Sequence, residues 1–314
     1  MNVSQIATLN YPHSFRRRIK FFFRVFLYGK KCLAKIEAIF NHPKLKRIII
    51  ENPSQYTKIF RPYLYRGLKI NDRILSIKNH HEFIKQHWNT KLINAVYLEK
   101  RMPLAEINFD EQSRFYIVLE PSGGTQYENE GEVLISLYCH EKIISICFNF
   151  TIDENGGSGI FISSMQGSSN KNFPELNNII KDFTKKTGGM RPQMFLIFAL
   201  TVMTSFYNLK RILALKTNRH LKRKRIKANM DAFWADFGGK PANKTVYDIP
   251  LVYERKPIES VRTNKRAMYK RRYHVLDNVE EQIRLALACD STTIMNDFTV
   301  APSFVHGLAY SILT

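Results

Sequence analysis

Residues 133–163 run VLISLYCHEKIISICFNFTIDENGGSGIFIS, and residues 186–207 run KTGGMRPQMFLIFALTVMTSFY. The first stretch holds three runs rich in β-branched and aromatic residues, at 133–138, 143–150 and 159–163, parted by short polar or glycine-bearing turns. Such residues suit a pleated, half-buried surface, so these runs predict an antiparallel meander, with one more strand before it at 115–119. In the second stretch Gly188-Gly189 stops a helix expected over 175–187. Pro192 then opens another, because a first-turn position needs no N–H. Its apolar run from Met194 to Tyr207 is shorter than the ~20 residues a membrane span needs, so it predicts a buried helix. A strand at 211–216 and a basic helix from about Leu221 follow. Strand, strand, strand, helix, Gly-Gly, helix, strand, helix is the pattern of an α+β fold with a mixed, mainly antiparallel sheet and flanking helices.

Toward the N-terminus the character changes. Residues 14–40 predict one or two basic helices, with Ser14 as N-cap. Phe15, Ile19, Phe22, Phe23 and Phe26 interleave with Arg16, Arg17, Arg18, Lys20 and Arg24. Such a helix either buries its Phe face against the protein or lies in a membrane interface. Residues 44–100 read as helical, interrupted at Pro53 and Pro62. His80, His81 and His87 gather there with Glu82, but Lys85 stands where the HExxH zinc motif needs its second His, so the cluster predicts a solvated helix face. The divisions expected are a basic helical region at 1–104, an α/β core at 105–290, and a tail at 291–314 to which no role attaches.

The 314-residue chain carries a net charge of +21, distributed unevenly. Residues 1–100 hold 20 Lys/Arg against 5 Asp/Glu, residues 101–185 hold 6 against 12, and residues 186–314 hold 22 against 10. Two basic segments flanking an acidic middle point to an anionic partner: an anionic membrane surface or lipid precursor, an acidic protein, or, less favoured, nucleic acid. A protein basic by lineage shows the same balance. Cys32, Cys139, Cys147 and Cys289 form no CxxC pair, which excludes a zinc framework and leaves buried reduced thiols, although Cys139 and Cys147 could meet across a hairpin. The apolar stretch after Arg16-Arg17-Arg18 is broken by Arg24, so no secretory signal is expected. The expected location is cytoplasmic, with peripheral contact at the inner membrane.

Three groups of residues could carry chemistry. The turn holding Gly188, Gly189 and Arg191 could offer backbone N–H groups and a guanidinium to a pyrophosphate or carboxylate; it could equally be a glycine C-cap at a helix corner. Lys265, Arg266, Arg271 and Arg272, with Tyr269 and Tyr273 among them, could bind phosphorylated head groups, a CoA 3′-phosphate or single-stranded nucleic acid, or form a solvated helix face. The run Lys222 to Arg225 is expected to be exposed. Asp231, His220 and Glu132 are the candidates for general acid–base work in an acyl transfer. Asp231 has a competing role as a helix cap. No metal is implied.

The layout of residues 105–240 resembles the core of the GNAT acyl-CoA-dependent acyltransferases, in which a meander leads through a phosphate-cradling loop into a helix and the next strand. The family loop reads (Gln/Arg)-x-x-Gly-x-(Gly/Ala). This chain has Met165-Gln166-Gly167 there, and an inserted helix before Gly188-Gly189. The resemblance implies acyl-CoA as the bound group, with Gln166, Gly167, Gly188, Gly189 and Arg191 around it. Over nearly its whole length the chain resembles the VirK/YbjX family of Gram-negative bacterial proteins. The residues that carry this are Arg61-Pro62-Tyr63-Leu64, Glu130-Gly131-Glu132, Met165-Gln166-Gly167, Thr184-Lys185, Gly189-Met190-Arg191-Pro192, His220, Asp231-Ala232-Phe233-Trp234, Gly238-Gly239, and Lys265-Arg266 through Tyr269–Tyr273 to Leu276-Asp277. That family has no established reaction. The resemblance implies a part in envelope integrity, virulence and tolerance of cationic antimicrobial peptides. The expectations are therefore an acyltransferase acting on an envelope or lipid precursor at the membrane face, or a non-enzymatic basic adaptor for anionic lipid or an acidic protein.

Overall fold

The computed structural model describes residues 1–110, 113–168, 173–226 and 228–288. Seven helices come first: α1 Val3–Asn10, α2 Phe15–Tyr28, α3 Lys31–Ile39, α4 Pro43–Glu51, α5 Gln55–Lys58, α6 Ile70–His87 and α7 Thr90–Tyr97. Local sequence sets their ends. Ser14 accepts from the Arg17 N–H at the start of α2, Asn89 does the same for Leu92 in α7, and Pro43 opens α4.

Five antiparallel strands follow, β1 Met102–Asn108, β2 Arg114–Pro121, β3 Val133–Tyr138, β4 Lys142–Ile152 and β5 Ser158–Gly167. Helices α8 Leu176–Lys186 and α9 Pro192–Phe206 then carry the chain to β6 Arg211–Leu215, which lies parallel to β5. The turns Thr217–Arg219 and Arg223–Arg225, helix α10 Met230–Asp236, and strands β7 Lys240–Pro241 and β8 Val246–Ile249 come next, before the long α11 Thr263–Ala288. The eight strands form one sheet in the order β1-β2-β3-β4-β5-β6-β8-β7. This is the expected α+β architecture: a basic helical N-terminal part packed on a mixed, mainly antiparallel sheet with flanking helices.

One continuous apolar core runs from Ile6 to Leu287. Helix α6 lies on β4, α9 against β3 to β5, and α11 along β1 and against α9. The two sheet edges are handled differently. The β7 edge is two residues long and contains Pro241, so it offers little to pair with. On the β1 edge the Gln282 side chain of α11 bonds both backbone groups of Glu106: it accepts from the N–H at 2.9 Å and donates to the carbonyl at 2.8 Å. A side-chain amide there stands in for the next strand.

Several expectations are corrected. No regular helix starts at Leu221: His220 and Ile226 have extended backbone, and the four cations at 222–225 form a turn rather than stack along a helix. His80 and His81 are buried, not solvated. His80 Nδ1 accepts from the Phe150 N–H at 3.1 Å, and its Nε2 lies 2.7 Å from the Tyr97 hydroxyl. Cys139 and Cys147 do not meet, because Cys147 pairs with Leu134 while Cys139 sits in the turn bonded to Glu141. Cys32, Cys139 and Cys147 are free thiols. Cys289 and the 291–314 tail lie outside the described residues. No helix among the described residues is long and apolar enough to cross a membrane.

Candidate functional site

Strands β5 and β6 pair in parallel from Gly159 opposite Arg211 to Ile162 opposite Ala214, and then separate. Beyond that point β5 continues to Gly167 alongside β4, whereas β6 ends at Leu215. A crossover through α8 and α9 is what makes this pair parallel, and the carboxyl ends of such strands are where a sheet opens to a ligand. A narrow enclosed cavity of about 20 Å³ lies in the wedge. Ser163, Ser164, Met165 and Gln166 form its β5 wall; Leu215, Thr217 and His220 face them; Ile226, Met230 and Trp234 close it. Trp234 is fixed by its indole N–H, which donates to the Leu215 carbonyl at 3.1 Å.

The wedge is polar and incomplete. The buried hydroxyls of Ser164 and Thr217 have no hydrogen-bond partner. The protein leaves both without a partner, at a cost of about 1–3 kcal/mol each unless another molecule bonds them, so the cavity holds hydrogen-bonding capacity that the fold itself does not use. His220 is nearly buried. Burial lowers its pKa, against the neighbouring Glu130 carboxylate, which raises it. Its Nδ1 accepts from the Lys222 N–H at 3.0 Å. A neutral imidazole whose Nδ1 accepts carries its proton on Nε2, so His220, a residue of the cavity lining, is a hydrogen-bond donor at that atom.

Behind this wall is an ionic support. The Glu130 carboxylate, buried, accepts from Gln166 Nε2 at 2.7 Å and lies 2.7 Å from Lys222 Nζ. Lys222 is therefore engaged, whereas Arg223, Lys224 and Arg225 are exposed as expected. Asp231 does not line the wedge. Its carboxylate accepts from the Thr217 N–H at 3.0 Å and holds the turn that presents Thr217. Gly167 follows the lining residue Gln166 at the end of β5.

Glu132 is elsewhere. It sits in a fully buried ion pair with Lys58 at 2.9 Å and accepts from the Tyr63 hydroxyl at 2.5 Å and Gln55 Nε2 at 2.8 Å. Burial alone would raise its pKa, but Lys58 and the Tyr63 bond, with His80 and His81 nearby, outweigh it and hold the carboxyl at about 2. A carboxylate sealed from solvent and held there fastens the N-terminal helices to the sheet and does not exchange protons at neutral pH. Gly131 makes the split between the two carboxylates possible: a Cβ there would meet Cys147 Sγ at 2.8 Å and Asn149 Oδ1 at 3.0 Å. Glu130, like Ser164 and Thr217, is a site residue that sequence reasoning missed. Its signal was present in Glu130-Gly131-Glu132, but the spacing does not say which carboxylate turns toward the wedge.

The Gly188-Gly189 turn is the C-cap of α8. Gly189 donates to the Thr184 carbonyl at 2.7 Å, and both glycines have positive φ, +66° and +84°. Arg272 Nε and Nη2 donate to the Gly188 carbonyl at 2.9 and 2.6 Å, and a Cβ on Gly188 would lie 2.5 Å from the Met268 carbonyl oxygen. Helix α11 thus fills the space an anion would need. Arg191 is exposed at the start of α9. Among the α11 cations, Arg266 donates to the Val261 and Glu259 carbonyls, Arg272 also stacks on Tyr269, and Lys265 and Arg271 are exposed. The described residues hold no cluster of three or more His, Cys, Asp or Glu that could bind a metal.

The family model described as "Protein of unknown function (DUF535)" matches residues 11–285. The "Uncharacterized protein YbjX" of Escherichia coli (strain K12) is 23% identical over 279 residues, covering 86% of this chain and 82% of that protein. An "Uncharacterized protein" of Haemophilus influenzae (strain ATCC 51907 / DSM 11121 / KW20 / Rd) is 21% identical over 274 residues, covering 86% and 90%. No solved structure matches. The chain belongs to the DUF535 family, and the VirK/YbjX resemblance holds over nearly all of it.

Proposed function

We propose that this DUF535 protein is an acyltransferase that takes an acyl group from acyl-CoA to an amine or hydroxyl in the β5/β6 wedge: the new C–N or C–O bond replaces the thioester C–S bond, and coenzyme A leaves as the thiol, taking up the proton that the amine or hydroxyl gives up. The observation that carries the proposal is the pair of partnerless buried hydroxyls, Ser164 and Thr217, beside a neutral His220 at the parting of the parallel pair. Attack on a thioester builds negative charge on its carbonyl oxygen, and preorganised neutral donors are what stabilise that charge. Two hydroxyls and an imidazole N–H are such donors. The antiparallel meander, crossover and parallel strand keep the order that resembles GNAT acyltransferases, with α8 as the insertion.

The fit to coenzyme A differs from the sequence expectation. Gly188, Gly189 and Arg191 form no pyrophosphate cradle, because α11 occupies that turn. The exposed cations Arg223, Lys224 and Arg225 lie on the segment that closes the wedge and would meet the phosphates instead. A cavity of about 20 Å³ holds about one water, so a ligand enters by moving that segment away from β5. In the setting the VirK/YbjX resemblance implies, the acceptor is an envelope or lipid precursor.

Calorimetric titration of the whole chain with short- and long-chain acyl-CoA, at two salt concentrations and against an unrelated polyanion, tests the proposal. Saturable binding that depends on chain length, survives the higher salt and is lost in Thr217→Val and His220→Phe supports it. Binding that the polyanion matches and salt abolishes overturns it and leaves a non-enzymatic basic adaptor.

A further inference from the structure

Helix α2 is fixed to the protein by one face only. Phe21 and Val25 are buried, Phe21 packs edge-on to Phe60 at 5.7 Å, and Arg18 donates to the Tyr11 and Pro12 carbonyls. The outer half is divided along its length. Phe15, Ile19, Phe22 and Phe26, spaced by 4, 3 and 4 residues, make one apolar stripe, with Phe23 and Leu27 beside it, and all six are exposed. Phe15 and Phe26 are 76% and 83% exposed. Beside the stripe Arg16, Lys20 and Arg24 follow one another at intervals of four, and the helix has no acidic residue. The inner face suffices to hold the helix, so the outer aromatics serve something outside the fold.

We infer that α2 docks the protein on an anionic phospholipid bilayer, with Phe15, Ile19, Phe22, Phe23, Phe26 and Leu27 in the interface and the cationic flank on lipid phosphates. Charge complementarity decides the occupant. A second copy pressed onto this face would set the four cations Arg16, Arg17, Lys20 and Arg24 against the same four, whereas an anionic bilayer supplies apolar depth and negative charge together. The two hollows beside the helix differ in the same way. An apolar groove of about 540 Å³ lies toward α1, lined by Val3, Phe22, Val25 and Phe26. A hollow of about 370 Å³ on the other flank is lined by Arg17, Lys20, Arg24 and Arg61. Arg61 is held there by the Tyr11 hydroxyl at 2.5 Å.

The inference is independent of acyl transfer and has its own readout. The whole chain is sedimented with phosphatidylcholine vesicles, alone or with phosphatidylglycerol, at low and high salt, and its mass is measured in solution without lipid. The expected result is binding to the anionic vesicles, weakened by salt but not abolished. Phe23→Glu with Phe26→Glu should weaken binding about tenfold or more, because interfacial affinity scales with the apolar area inserted. These side chains are exposed, so both variants should unfold at the wild-type denaturant concentration. Lys20→Glu with Arg24→Glu should weaken binding to anionic vesicles and leave the neutral ones unchanged. Equal binding by the Phe variant overturns the inference. So does a wild-type dimer that the Phe variant dissociates without any vesicle binding, and so does binding that high salt removes completely.

Discussion

Glu130 and Glu132 stand one glycine apart, and each is buried, yet they belong to two regions built on opposite principles. Around Glu132 the carboxylate itself is fully engaged and lines neither the wedge cavity nor the hollows beside α2. Lys58, Tyr63 and Gln55 supply its three donors, Asn149 bonds the Glu132 backbone, Tyr63 and Ser76, and the one unpartnered atom of this set, Gln55 Oε1, is packed in the interior. Around Glu130 the carboxylate is engaged by Gln166 and Lys222, but the wall it supports faces a cavity with two hydroxyls that lack partners. A network packed against the core fixes geometry; polar groups that line a cavity keep binding capacity for something else. Burial of a carboxylate therefore does not mark a site. Unpartnered hydroxyls that line a cavity beside it do.

The widest separation between the regions is expected from Glu132→Ala. It strands the Lys58 ammonium in the interior and should cost about 3–5 kcal/mol of stability in urea titration, since breaking a buried pair leaves an uncompensated charge. A loss under 1 kcal/mol would mean that the network is not needed for folding. Acid should act on the same region. The Glu132 carboxyl is held at about 2 against 4.5 in the unfolded chain, so its stabilisation is full above 4.5 and is lost as the pH falls from there toward 2. His80 is held neutral by burial, so its contribution is full above the unfolded value of 6.5 and declines below it. Stability should start to fall below about pH 6.5 and fall more steeply below 4.5, and Glu132→Gln should remove only the second step. A single step in the wild-type chain would break this account.

The Gly188 turn gives a smaller effect. Gly188→Ala forces an alanine to positive φ against the Met268 carbonyl and should cost about 1–3 kcal/mol, with acyl-CoA affinity unchanged. Lost affinity at full stability would return the turn to the role of an anion cradle. The smallest stability change belongs to the wedge. Ser164→Ala and Thr217→Val remove hydroxyls that have no partner, so each should leave stability unchanged or raise it by up to about 1 kcal/mol while lowering acyl-CoA affinity. A clear destabilisation by either would place the hydroxyls with the Glu132 network as parts of the fold.

The strands were legible where side chains alone decide them. The 133–138 run forms β3 residue for residue, and Pro192 opens α9 as its missing N–H requires. Strand β1 was not legible, because Met102-Pro103 does not look like a strand and its pairing with β2 shifts register after Pro103. Helix α11 was legible only in part, as the solvated helix face that was one reading of its basic start. Its buried residues Leu276, Val279, Ile283, Ala286 and Leu287 keep helical spacing, but charged neighbours dilute the pattern and the segment reads as a basic cluster. Of the site, His220 and Gln166 were marked by sequence and do line the wedge, and Asp231 holds the turn beside it. Ser164 and Thr217 could not be found in advance. Nothing distinguishes a serine or threonine whose hydroxyl lacks a partner until the place where β5 leaves β6 is known.

The amide of Gln282 on the β1 edge has a consequence in time. Synthesis runs from the N-terminus, so the whole meander from Met102 to Gly167 leaves the ribosome more than a hundred residues before its outer strand is covered. For that interval the nascent chain carries an open strand edge at which another chain could pair. Folding can protect that edge only after almost all of α11 has been made.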